Sequence, residues 1–134
     1  MSPVNRLPFL DIAGAPYEVG AALGRFGRAA VHGHLLQSAA WRTLVQRRAD
    51  PRIARMADLV RDRFPRHWAE LQGLADGLQL SFDDTFLWNC RGDVWAMAPN
   101  GCTTVQLPGR PHVVAHNEDG DPGFAGSCAL ARVA

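Results

Sequence analysis

The chain has 134 residues, 47% of them hydrophobic, which is enough for one domain with a buried core and too apolar for a disordered chain. All 14 basic residues are Arg; with 13 acids they leave a net charge of +1, split unevenly, since residues 1 to 66 hold eleven Arg against five acids and residues 67 to 134 hold three against eight. Three cysteines with no C-x-x-C pair exclude a disulfide framework and a zinc ribbon, and the absence of a basic leader or an apolar run of about 20 residues predicts a soluble, cytoplasmic chain with no membrane partner.

In chain order, Pro16 opens a long helix on which Tyr17, Val19, Gly20, Leu23, Phe26, Gly27, Ala30 and Val31 recur at helical spacing. Gly20, Gly24 and Gly27 lack the G-x-G-x-x-G spacing and a preceding strand, so they read as a close-packing stripe rather than a phosphate loop. His32 and His34 fall on different sides of this helix and read as surface or packing residues. Asp50-Pro51 is an N-cap followed by proline, with Ile53, Met56, Ala57, Val60 and Phe64 on one apolar face. On its other face Arg52, Arg55, Arg61 and Arg63 alternate with Asp50, Asp58 and Asp62, the pattern of a solvated surface rather than of a nucleic-acid footprint. Pro65 opens a third helix, with Trp68, Leu71, Leu74 and Ala75 inward and Gly77 expected as its C-terminal cap. Ser81-Phe82-Asp83-Asp84 starts a fourth, carrying Phe86, Leu87, Cys90, Val94 and Trp95.

Pro99-Asn100-Gly101 ends the helical part, and from Cys102 the period becomes extended. Cys102 to Leu107 and His112 to His116 are short strands joined by the turn Pro108-Gly109-Arg110-Pro111, an antiparallel hairpin. Asn117 to Gly123 is a loop, and Ser127 to Val133 begins a third strand. Such a hairpin brings His116-Asn117-Glu118-Asp119 back toward Cys102.

The step Gly101-Cys102-Thr103-Thr104 carries the chemistry. A thiol directly after a flexible glycine at a strand mouth is placed to attack the preceding carbonyl, and cleavage there leaves an N-terminal cysteine whose own amine can act as base. Taken alone, a cysteine at a strand start equally suits a small buried hydrophobe. Asp119 is the carboxylate available to hold the freed amine, and His116 is a group to orient or bind substrate.

Asn100-Gly101-Cys102-Thr103-Thr104, a short strand and turn, and then His116-Asn117-Glu118-Asp119-Gly120 resemble the cysteine branch of the N-terminal-nucleophile hydrolases, most closely the penicillin acyltransferase family. Gly14-Ala15-Pro16-Tyr17-Glu18-Val19-Gly20, with Gly24 and Gly27, resembles the opening helix of that family's pro-segment. The resemblance implies an α+β fold: about four helices, then the first two or three antiparallel strands of an αββα sandwich. It also implies a helical pro-segment over residues 1–101, a β-type catalytic segment over 102–134, and self-cleavage between Gly101 and Cys102. By the same resemblance Cys102 is the nucleophile on a small-molecule amide or acyl thioester and Asp119 its partner, with no cofactor or metal; Thr103, His116 and Asn117, which the hairpin sets beside them, are the candidate substrate-binding or orienting residues. His116 stands where relatives often carry Gln or Arg, and Glu118 where some carry an aromatic residue. The family's oxyanion asparagine comes well downstream of the hairpin, so the expectation is a truncated or fragmentary enzyme with little turnover alone. A complementing downstream segment, or self-association through an exposed sheet edge, is the expected protein partner.

Two other readings stand beside this one. His112 and His116 share a strand face and, with Cys102 or Cys128, make a candidate zinc site. A helical interaction module with a disordered tail, anchored by Trp41, Trp68, Trp88 and Trp95, is the non-enzymatic alternative; tryptophans at helical spacing beside Leu and Val otherwise read as core.

Overall fold

A computed structural model describes residues 7–94, 103–117 and 120–134. Strand β1 (Phe9–Ile12) leads into the helices α1 (Pro16–Gly33), α2 (Ala39–Val45), α3 (Pro51–Arg63), α4 (Pro65–Leu78), α5 (Phe82–Asn89) and α6 (Arg91–Val94). Strands β2 (Thr103–Leu107), β3 (Val113–Asn117) and β4 (Leu130–Val133) follow. The class is α+β.

The helix starts obey their end-group chemistry. Each first turn has N–H groups without intrahelical partners, and Ser38, Asp50 and Ser81 accept hydrogen bonds from Trp41 N (3.0 Å), Arg52 N (2.9 Å) and Asp84 N (3.1 Å). Pro16, Pro51 and Pro65 occupy first helical positions, where a missing N–H costs nothing. Short α2 was not expected. The expected last helix is broken at Cys90, so α5 and α6 replace one element.

One expected cap is displaced. Gly77 lies inside α4, which runs on to Leu78 and is capped by Gln79, a residue in the left-handed conformation at φ 59°. Gly77 is spent on packing instead: a methyl group built there would stand 2.4 Å from the Ala21 carbonyl oxygen and 2.8 Å from the Gly24 Cα. Gly20 and Gly73 are tighter still, with 1.9 Å from the added methyl to the Glu70 and Tyr17 carbonyl oxygens respectively. Gly20 and Gly24 on α1 and Gly73 and Gly77 on α4 therefore let the two backbones meet; Gly27, the third glycine of the expected stripe, meets only the Leu78 side chain, 3.6 Å from an added methyl group. Arg28 Nε (2.9 Å, to the Gly77 carbonyl) and His32 Nε2 (2.8 Å, to the Leu78 carbonyl) donate across the same seam.

The main apolar core is formed by Leu44, Ile53, Phe86 and Leu87, with Met56, Val60, Trp68, Leu71 and Trp88 packed around it. Trp41 is buried against Trp88 at 6.0 Å between ring centroids, so three of the four tryptophans serve the interior; Trp95 lies outside the described residues. Arg52, Arg55, Arg61 and Arg63 are exposed on α3, the solvated face expected of them.

The strands form two separate pairs among the described residues. β2 and β3 make the antiparallel hairpin, with Thr103 opposite Asn117 and Leu107 opposite Val113. The third strand departs from expectation: β4 does not extend the hairpin but pairs in parallel with β1, an unpredicted strand. Leu130 N donates to the Pro8 carbonyl (2.9 Å) and Ala134 N to the Ile12 carbonyl (3.0 Å). Arg132 stands opposite Asp11, bonds it at 2.6 Å and lies over the Phe9 ring. That charge pair and its aromatic neighbour favour β1 as partner over the hairpin edge. No helix among the described residues is long and apolar enough to cross a membrane.

Candidate active site

The hairpin brings the two halves of the motif to one end of a ladder. Thr103 pairs with Asn117 and Thr104 with His116, so the backbone of three expected substrate-lining residues is gathered at the open end of β2 and β3. Gly101, Cys102, Glu118 and Asp119 lie outside the described residues. In sequence, Cys102 directly precedes Thr103, and Glu118 and Asp119 directly follow Asn117. The chain ends that carry nucleophile and carboxylate thus leave the ladder on the same side.

His112 precedes β3 and is exposed, which takes it off the strand it was expected to share with His116. Among the described residues, no three His, Cys, Asp or Glu side chains converge on a site able to hold a metal ion. Cys102, one of the thiols offered for the zinc reading, is not among them.

The other two thiols differ sharply. Cys90, at the α5–α6 junction, is half-buried, and burial first and the Asp93 charge second push its thiol up to about 11. A thiol held that high is almost wholly protonated near neutral pH and a poor nucleophile. Cys128 is exposed, just before β4.

Sequence reasoning missed the contact that joins the acidic loop to the helices. His34, at the C-terminal end of α1, points its Nε2 at Asp121 Oδ2 (2.9 Å); a carboxylate only accepts, so this nitrogen carries the proton. Phe124 meets the same imidazole edge-on at 5.0 Å, and the Gly123 backbone lies flush against it. Asp121 also caps the short helical turn that follows, accepting from Gly123 N at 2.8 Å. These bonds, from His34 first and the Gly123 N–H second, hold the Asp121 carboxyl below its usual range. Asp121-Pro122-Gly123 is a readable cap-and-turn signature, but its partner 87 residues earlier is not.

The segment after Asp119 is therefore fastened to the segment before Cys102 at two places, His34 with Asp121 and β1 with β4. The chain matches no protein-family model, and no curated protein matches it significantly.

Proposed function

We propose that this chain carries the helical pro-segment, residues 1–101, and the opening catalytic strands, residues 102–134, of a cysteine N-terminal-nucleophile hydrolase similar to the penicillin acyltransferases. The observation that carries the reading is the β2–β3 register, which sends the chain toward Cys102 and toward Glu118-Asp119 from the same end of one ladder. The helices and hairpin would then form part of that family's αββα sandwich.

In this proposal the Cys102 Sγ attacks the Gly101 carbonyl carbon. The Gly101–Cys102 C–N bond breaks, its nitrogen takes the thiol proton, and a thioester forms; water then releases the Gly101 carboxylate and leaves an N-terminal cysteine. In the second stage the freed α-amine takes the thiol proton; an α-amino group ordinarily titrates at about 7.7 to 8.0, which suits a base near neutral pH. The thiolate attacks an amide or thioester carbonyl, and the proton passes to the departing amine or thiol. Water or an amine then accepts the acyl group. Asp119 holds the α-amine, while Thr103, His116 and Asn117 orient the substrate. The β1–β4 ladder and the His34–Asp121 contact span the cut and would keep the two products together.

Incubation with a short acyl thioester tests the second stage. The acyl mass should appear on the peptide that begins with Cys102, vanish in Cys102→Ala, and form about 10²-fold more slowly in Asp119→Asn. Equal acylation of Cys90, Cys102 and Cys128 would contradict it.

One observation favours the helical interaction module as a second reading: residues 104–115 are all exposed, whereas the helices hold the core. Limited proteolysis that removes everything after Pro99 while the helices persist, with Cys102 unreactive, would select that module.

A further inference from the structure

Away from the hairpin, α3, α4 and α5 enclose a cleft of about 680 Å³, within the size range of small-molecule sites. Its floor is apolar and aromatic: Ile53, Ala57, Trp68, Phe82, Phe86 and Leu87. Trp68 and Phe82 present their rings side by side, 4.4 Å between centroids, and the buried Phe86 stacks beneath Phe82 at 6.0 Å.

The rim decides which ligand suits this floor. It holds Arg48 and Arg61 against Asp58, Asp83 and Asp84, two positive charges to three negative. Both cations are engaged: Arg48 reaches Asp84 through two bonds, at 2.6 and 2.9 Å, and Arg61 lies 2.8 Å from Asp58 and 3.5 Å from Asp62. Asp83, exposed in the first turn of α5, bonds no described side chain. An incoming anion would have to displace a carboxylate from an arginine. A cation meets the Asp83 carboxylate, unpaired among the described residues, beside the ring of Phe82; Trp68 already carries the Arg61 guanidinium, 6.0 Å from its ring centroid, and serves as apolar wall.

We infer that this cleft binds a small hydrophobic ammonium compound, its apolar body on Trp68 and Phe82 and its charge at Asp83. The inference uses residues 48–87 alone and stands apart from the chemistry at Cys102.

Three probes of one shape and different charge test it on the whole chain near neutral pH and low salt: phenylbutylamine, phenylbutanol and phenylbutyrate. Binding is followed by tryptophan fluorescence and by the NMR shift of the Trp68 indole N–H. The amine should saturate and bind about two- to fivefold more tightly than the alcohol, with the carboxylate weakest. Asp83→Asn should bring the amine down to the alcohol and leave the alcohol unchanged, and added salt should act on the amine's advantage alone. Ala57→Leu, which fills the floor, should weaken all three probes; retained helical circular dichroism shows that the fold persists. A carboxylate that binds as tightly as the amine, no saturation by the amine, or shifts centred on Trp41 instead of Trp68 would overturn the assignment.

Discussion

Cys90 and Cys128 are a chemical control for the assignment of Cys102. With its thiol near 11, Cys90 is about one part in a thousand thiolate at mildly alkaline pH, so an alkylating agent should modify Cys128 well before it. Peptide mass mapping after a short pulse of iodoacetamide reads the order, and equal rates would contradict the burial of Cys90. His34 offers a second test. The Asp121 carboxyl is held low, so it contributes stability above its unfolded-state value, near 4, and loses that contribution as pH falls through the lower folded value. Hydrogen-exchange protection factors across 120–126, taken relative to the intrinsic rate at each pH, should therefore be high near neutral pH and fall in acid, and His34→Ala should abolish the protection. Gly123→Ala makes the point sterically, because its methyl group would stand 2.0 Å from the imidazole. It should release the loop in the wild-type background and add nothing once His34 is Ala. None of this was legible beforehand: the helical period places His34 on a side of α1, but a partner so far along the chain leaves no local trace.

Local end-group chemistry explains which elements could be read. Pro16, Asp50-Pro51, Pro65 and Ser81 announce four helix starts because caps act within one turn, and the turn Pro108 to Pro111 announces the hairpin for the same reason. The failures come where tertiary contact overrides the local signal. Gly77 has the look of a terminator but serves the α1–α4 seam, and β1 is a four-residue strand that exists by pairing with β4 at the other end of the chain. Gly20→Ala and Gly73→Ala should each destabilise the fold by about 3 kcal/mol, since backbone rather than a flexible side chain meets the new methyl group. Gly33→Ala, with nothing within 4 Å of its methyl group, should stay within about 0.5 kcal/mol of wild type. Urea unfolding measures all three, and equal effects would refute the close approach of α1 and α4.

Across the whole molecule, the helices hold the core and the strands hold the two ends of the chain together. The β1–β4 ladder and the His34–Asp121 contact join the chain before Cys102 to the chain after it, while β2 and β3 form the ladder whose open end adjoins the motif. The candidate site was legible as far as the hairpin, because turn chemistry and β-period announce it; the register was not, and Asn117, expected to open the loop, closes β3 opposite Thr103. The fastening of its acidic loop was not legible either, because that depends on helices folded elsewhere. If the chain cuts itself after Gly101, both products should co-elute on native gel filtration and separate only in denaturant. Whether the bond between Gly101 and Cys102 is cut can be read from the intact mass of the freshly purified chain under denaturing conditions. Two species that divide at that bond are expected, replaced by one full-length species in Cys102→Ala. A wild-type chain that stays whole after prolonged incubation, or a Cys102→Ala chain cut at the same place, would contradict self-cleavage by Cys102.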